Sequence, residues 1–362
     1  MQTPEMNFPH LDSGSERAIA VGDEVRSAIE DGRGVVALET AVLTHGLPRR
    51  EWVDPPFGPW LASSKGLGVE RGWASDLPMN LATVRAMADA VRARGAVPAV
   101  VGMIEGVLHV GLDEDHLHRL ATIDDPVKLS ARDLGLAAAR RADGGTTVAG
   151  TLAACGCLAG RDGVGAPKVM ATGGIGGAHR GWAASADVSA DLGLLGRTPV
   201  CLVSSGAKSI LDLHATAEML DTLAVPVVGH GTDHWPRFIS PPDLTLPCSH
   251  RLDDVAAIAA AASLHWGPMR QRSAMLVLNP APERFALPEA FEFDRLVDSE
   301  IAASSAAGRR GAEVTPDLLE RLVERTGGRS LLANVALLLS NAALAADIAL
   351  AISNRTPTAV AT

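Results

Sequence analysis

The sequence predicts an α/β fold: an α/β/α layered single domain on a mostly parallel central sheet. Continuous apolar runs such as GVVAL, AVPAVVGMI and PVCLV alternate with longer stretches of helical periodicity. That is the pattern of buried parallel strands joined by crossover helices. The 362 residues are 47% hydrophobic and 20% charged, enough to build one large core. No internal repeat interrupts the alternation. The expected layout is a flexible arm over residues 1–20, one α/β domain over 21–353 with an inserted loop at about 49–76, and a tail over 354–362.

A net charge of −10 argues against a protein that grips nucleic acid through phosphates, although a local anion pocket stays open. Cys155, Cys157, Cys201 and Cys248 form no C-x-x-C pair, and the first two sit in the apolar run TLAACGCLAG as small core residues. The first twenty residues lack a basic start and an apolar core of signal-peptide type, so a cytoplasmic protein is expected.

Taken in order, ERAIAVGDEVRSAIEDGRG carries a helical pattern ending at glycine, and GVVALET follows as a buried strand. Glu39 closes that strand, where open α/β sheets place ligand-facing groups; a capping or surface carboxylate is the plainer reading. Between Arg49 and Asp76 periodicity fails, and three of the six tryptophans gather with three prolines, as in an inserted loop. MNLATVRAMADAVRARG predicts a helix with Leu81, Val84, Ala88 and Val91 on one face and a stop at Gly95. In VKLSARDL, Ser130 and Asp133 have capping-box spacing, flanked by Leu129 and Leu134 as a staple. Lys128 would then lie just before a helix N-terminus, on its anion-binding side, or be a solvated lysine.

DGGTTVAGTLAACGCLAG reads as glycines, threonines and a small-residue helix, and KVMAT as a strand. ILDLHATAEMLDTL and DDVAAIAAAASLHW predict helices on either side of the strand AVPVVGHGT, and MLVLNPAPERFALP a strand with a proline-punctuated loop. TPDLLERLVERTGG opens with Thr315 and Pro316 and stops at paired glycines. The last run, SLLANVALLLSNAALAADIALAIS, is interrupted by Asn334, Asn341 and Asp347, which favours a buried helix over a membrane span. Asn334 and Asn341 share a face, as core amides or as ligands.

Chemistry concentrates between Ala171 and Lys208. ATGGIGGAHRG is no dinucleotide fingerprint, because His179 stands where the third glycine belongs. SSGAKS is no Walker loop, because Ala207 separates Gly206 from Lys208. What remains is a glycine loop beside His179 and Arg180. In DVSAD, Asp187 and Asp191 could share a face, converge on a Mg²⁺ or Mn²⁺ ion, or cap the following helix. Lys208 follows the strand PVCLV and, opening the helix SILDLHATAEML, would be a desolvated amine of depressed pKa or a snorkelling lysine.

ALETAVLTHGLP, VKLSARDL, GGTTVAGT, ATGGIGGAHRG, DVSADL, SSGAKSILDL, NPAPERFALP and SLLANVALLLSNAALAADIA together resemble the pseudouridine-5′-phosphate glycosidase, or indigoidine synthase A-like, family. The resemblance implies reversible cleavage of the C–C bond between ribose 5-phosphate and uracil through a lysine imine. By motif, Lys208 is the nucleophile and Glu39 the proton donor and acceptor. Lys128, Val148 and the run Ser189, Ala190, Asp191 line the substrate site, with His179 and Asn334 in further polar positions. Asp187 holds Mn²⁺ through waters, and a homotrimer with no nucleic-acid or membrane partner is expected.

The chain departs from the family in AASA before Asp187, in the 49–76 insertion, and in His230 and Gly231 after AVPVVG. These departures leave the base open, so two other readings stand beside the glycosidase. One is a C-ribosylating enzyme that joins ribose 5-phosphate to an aromatic natural-product acceptor. The other is a degenerate phosphosugar-binding protein.

Overall fold

The computed structural model describes residues 18–51, 77–159, 165–287, 297, 299 and 321–355. The predicted arm up to Arg17, most of the 49–76 insertion, Thr315, Pro316 and the end of the tail lie outside these residues. In chain order the elements are β1 (Ile19–Val21), α1 (Asp23–Glu30), β2 (Val35–Leu38), a single π-helical turn (Val42–Gly46), α2 (Met79–Ala93), β3 (Val97–Ile104), β4 (Val107–Val110) and α3 (Glu114–Thr122). β5 (Val127–Leu129), α4 (Leu134–Ala139), β6 (Gly144–Thr146), α5 (Val148–Ala159), β7 (Val169–Ala171), α6 (Trp182–Ser185), α7 (Ala190–Leu195) and β8 (Cys201–Ser204) follow. The chain continues through α8 (Leu213–Thr222), β9 (Val227–Gly229), β10 (His234–Arg237), β11 (Ser240–Pro247), β12 (His250–Arg251), α9 (Val255–Trp266), β13 (Met275–Leu278) and α10 (Arg329–Ser353).

Among the described residues, eleven strands form one sheet with the path β1-β4-β3-β2-β7-β8-β13-β9-β12, and β6 with β5 attached to β3. The run β3-β2-β7-β8-β13-β9-β12 is parallel throughout. β4 and β6 pair with β3 antiparallel. Every residue of β2, β3, β8 and β13 is buried, so both faces of the sheet are covered, as the apolar runs require. α10 packs on β2, β7 and β8 together with α2 and α9, while α5 packs on β2, β3 and β6.

Parallel register brings the C-terminal ends of neighbouring strands to one edge. Leu38 pairs with Ala171, Ala171 with Val203, and Leu278 with Ser204. Glu39, Thr172, Ser205 and Asn279 therefore leave the sheet side by side. Buried threonines weld the β6 branch to this edge: Thr40 and Thr146 each donate to the Val101 carbonyl, at 2.6 and 2.8 Å, and Thr146 N–H donates to Thr40 Oγ1 at 3.0 Å.

Several expectations need correction. Ile19–Val21 is not the start of a helix; its apolar run finds a partner in Leu108–Val110, and α1 begins only after Gly22. The capping box at Ser130 forms only in its reciprocal half, Asp133 Oδ2 accepting from Ser130 N–H at 3.0 Å, and α4 starts at Leu134. Lys128 is accordingly a strand residue. Lys208 does not open a helix either, because α8 starts at Leu213 under the cap of Asp212, which accepts from Ala215 N–H at 3.0 Å. Neither Asp187 nor Asp191 caps α7; Ser189 does. Cys157 is exposed, unlike buried Cys155. The β10–β11 hairpin was not anticipated, since the prolines of HWPRFISPPDLTLP masked its alternation.

α10 is long and apolar enough to cross a membrane, but 72% of its most apolar stretch is buried within the protein, as the interrupting polar residues predicted. Asn341 explains one interruption. Fully buried, it donates to the Thr172 carbonyl (2.8 Å) and Ser205 Oγ (3.1 Å) and accepts from Asn279 Nδ2 (2.9 Å), tying α10 to three strand ends. Replacing it by leucine keeps the volume and strands these partners, so Asn341→Leu should lose about 2–4 kcal/mol in chemical denaturation. A loss below about 1 kcal/mol would mean that the amide is not what anchors the helix.

Candidate active site

A cavity opens at the strand-end edge, and its walls include Glu39, His45, Lys128, Thr147, Lys208 and Asn334. Four of the residues singled out in the sequence therefore meet although they come from β2, β5, the turn after β8, and α10. Glu39 is 6% exposed, and its Oε1 accepts a short hydrogen bond from Thr172 Oγ1, the side chain leaving the neighbouring strand. Burial pushes the Glu39 carboxyl above its usual range; Lys208, the Thr172 hydroxyl and Lys128 oppose this, and Asp191 adds to it.

Lys128 is brought down to about 8, first by burial and then by repulsion from Lys208, against the attraction of Glu39 and Asp191. Lys208 is placed by backbone bonds: its N–H donates to the Ile175 carbonyl (3.1 Å), and its own carbonyl accepts from Leu211 N–H (3.0 Å). The loop Gly173–Gly177 and the turn Ser205–Lys208 thus run as a paired ribbon beside the cavity.

Asp191 has a different place from that read in the sequence. Its Oδ2 accepts from Gly176 N–H (2.8 Å) and its Oδ1 from Ala149 N–H at the start of α5 (2.9 Å). A carboxylate at a helix N-terminus is well placed electrostatically, and here it fastens the glycine loop to α5 and α7. Position 176 takes glycine because a Cβ there would meet Ser189 Oγ at 2.2 Å and Asp191 Oδ2 at 2.9 Å. Ser189 caps α7, Ala190 is its first residue, and Val148 is the first residue of α5, 1% exposed, with Thr147 taking the place on the cavity wall.

His179 and Asp187 stand together in the loop beyond, with His179 Nδ1 3.9 Å from Asp187 Oδ2. Burial holds the His179 imidazole below its usual value, with Asp187 opposing and Lys208 adding to the effect. As a metal site this is sparse. The described residues contain no group of three His, Cys, Asp or Glu side chains able to hold an ion, and the Asp191 carboxylate is engaged by two backbone donors. Asp187, with 42% of its side chain exposed, is a carboxylate suited to an ion that keeps most of its waters.

Sequence reasoning missed His45, Thr147, Thr172 and Phe238 as wall residues. His45 was visible six residues after Glu39, but a single histidine in a loop carries little signal. It is half-buried on the π-helical turn, with Nδ1 2.7 Å from Thr44 Oγ1. Burial, Lys128 and Arg49 bring it down to about 4, so the imidazole is neutral at physiological pH.

The model of the family described as "Indigoidine synthase A like protein" matches residues 72–351. A protein of Methylobacterium nodulans named pseudouridine-5′-phosphate glycosidase is 44% identical over 335 residues, covering 91% of this chain and 86% of its own. One of the same name from Chloroflexus aurantiacus is 43% identical over 343 residues, covering 92% and 99%. Among solved structures, the prealnumycin C-glycosynthase AlnA in complex with ribulose 5-phosphate matches with a TM-score of 0.74 at 34% identity, over 93% of this chain and 97% of that one. An indigoidine synthase A-like protein of Thermotoga maritima gives 0.73 at 33%, over 92% and 96%.

The raised Glu39 pKa sets a pH dependence. The native state keeps this proton to higher pH than the unfolded chain, so the stability it contributes is complete below the usual carboxylate range and lost as pH rises through the raised value. Glu39→Gln mimics the protonated form. Thermal melts should coincide for the two proteins near about pH 4 and separate in favour of the variant toward about pH 9. A difference independent of pH would show that the Glu39 carboxyl is not held protonated by burial.

The strand-edge site, the coverage of the family model and the extent of these likenesses together place the chain in the indigoidine synthase A-like family.

Proposed function

We propose that the protein is a pseudouridine 5′-phosphate glycosidase, which reversibly splits the C–C glycosidic bond to give uracil and ribose 5-phosphate. The observation that carries this reading is the convergence of one buried acid and two lysines on a single cavity, in a chain whose relatives bear that name. Two carboxylates flanking an ordinary glycosidic oxygen would suit hydrolysis of an O-glycoside. A carbon leaving group needs an electron sink and a proton on carbon, and an amine beside a carboxyl of raised pKa supplies both.

In this mechanism the Lys208 amine bonds to C1′ as the C1′–O4′ bond breaks, and the proton that the attacking nitrogen gives up passes to the ring oxygen. The nitrogen lone pair then forms C=N while the C1′–C5 bond breaks, its electron pair going to C5 of uracil. Glu39, whose carboxyl burial holds above its usual range, delivers the proton that C5 needs. Water adds to the imine, the C–N bond breaks, ribose 5-phosphate leaves and Lys208 is regenerated, while Glu39 recovers a proton.

Lys128, still mostly an ammonium at neutral pH, would face the 5′-phosphate, with Val148, Ser189, Ala190 and Asp191 shaping the sugar site. Asn334 would meet the base. Asp187, with His179 beside it, would hold a hydrated Mn²⁺, whose contribution when bound is to neutralise and orient the phosphorylated sugar. A homotrimer is the assembly that belongs to this reading.

A second reading, synthesis of a C-riboside from ribose 5-phosphate and an aromatic acceptor, is favoured by the likeness to a C-glycosynthase. Incubation with pseudouridine 5′-phosphate and Mn²⁺ should release uracil, and Glu39→Gln should lower kcat about 10²–10⁴-fold. No uracil at any enzyme concentration would overturn the glycosidase. Consumption of ribose 5-phosphate only with a larger aromatic acceptor would establish the second reading in its place.

A further inference from the structure

β10 and β11 are joined by the two residues Phe238 and Ile239, since Arg237 pairs with Ser240 across the turn. Phe238 has φ +62°. A two-residue hairpin turn with positive φ at its first position takes glycine there by default, and a bulky side chain in that region is an outlier. The ring is nevertheless not left in solvent. Phe238 is 4% exposed and forms part of the wall of the cavity that holds Glu39 and Lys208.

The surroundings are arranged to receive it. Phe238 N–H donates to the Ser205 carbonyl at 3.0 Å, and Arg237 bridges to Gly206, so the hairpin tip is fastened to the turn that carries Lys208. The ring lies on the backbone of the glycine loop: a Cβ on Gly174 would meet Phe238 Cδ2 at 2.8 Å, and one on Gly173 would meet Cε2 at 3.4 Å. The glycines that failed as a nucleotide fingerprint thus have a steric role, to let an aromatic ring approach the main chain. In a chain with six phenylalanines and no tyrosine, Phe238 is the one phenylalanine among the described residues lining this cavity. A strained backbone that holds an aromatic ring at the wall of a reactive cavity points to a role in that cavity.

We infer that Phe238 is the platform on which the planar heterocycle stacks, and that it sets base affinity separately from the sugar-phosphate chemistry. This rests on the glycosidase reading, because it assigns the leaving group of that reaction to the ring. Stacking accepts any planar base, so the platform selects for an aromatic base and leaves the choice among bases to the polar groups around it.

The test is a steady-state comparison of wild type, Phe238→Leu and Phe238→Tyr, in cleavage of pseudouridine 5′-phosphate and in its synthesis from uracil and ribose 5-phosphate. Leucine keeps an apolar side chain on the same left-handed backbone and removes the π-face. Phe238→Leu should raise the KM for uracil about tenfold or more while the KM for ribose 5-phosphate stays within about twofold, and Phe238→Tyr should restore most of the uracil affinity.

Equal shifts in both KM values, or no shift for uracil, with an active wild type would overturn the platform and leave the glycosidase standing; such a result would make the ring a packing residue. A wild type unable to cleave pseudouridine 5′-phosphate would overturn both. If Phe238→Leu does not fold, Phe238→Met reads the same split.

Discussion

The site depends on a carboxyl group held almost wholly buried at the wall of the cavity. Glu39 follows an apolar strand buried on both faces, and an ionised carboxylate there would lose far more solvation than a neutral acid. The surrounding structure answers with a hydroxyl from the adjoining strand and with two lysines near enough to act on its charge. The balance still holds the carboxyl above its usual range. That makes Glu39 suited to give a proton to carbon, and it makes each neighbouring lysine part of the acid's own electrostatics.

The parallel sheet is what lets these groups meet. Parallel pairing of β2, β7, β8 and β13 delivers Glu39, Thr172, Ser205 and Asn279 to one edge, where open α/β sheets hold their ligands. Two further devices complete the edge. The Thr40–Thr146 bonds hold the branch of the sheet that brings Lys128 and Thr147. The Asp191 carboxylate joins the glycine loop to α5, so the loop beside Lys208 is fixed by two backbone N–H bonds to one side chain.

Much of this was legible in the sequence, for identifiable reasons. The strands within GVVAL, AVPAVVGMI and PVCLV are fully buried, as apolar runs of an α/β chain require. Glu39 could be singled out because it stands directly after such a run, and Lys208 because it closes the turn that follows one. Local geometry was less legible. SILDLHATAEML has a helical pattern throughout, yet its first residues pair with the glycine loop and α8 waits for the cap at Asp212. Asp191 looked like a ligand because the spacing of acids says nothing of the backbone donors that will meet them. Phe238 gave no signal at all, since it acts through a hairpin hidden by prolines and a contact with glycines some 65 residues upstream.

The central claim is that, of the two lysines beside Glu39, Lys208 forms the covalent bond and Lys128 remains an ammonium. Borohydride reduction of the wild-type protein in the presence of ribose 5-phosphate, followed by peptide mapping, addresses this directly. The reduced sugar-phosphate adduct is predicted on the peptide that carries Lys208. An adduct on Lys128, or none on either lysine under conditions where uracil is released, would contradict the account.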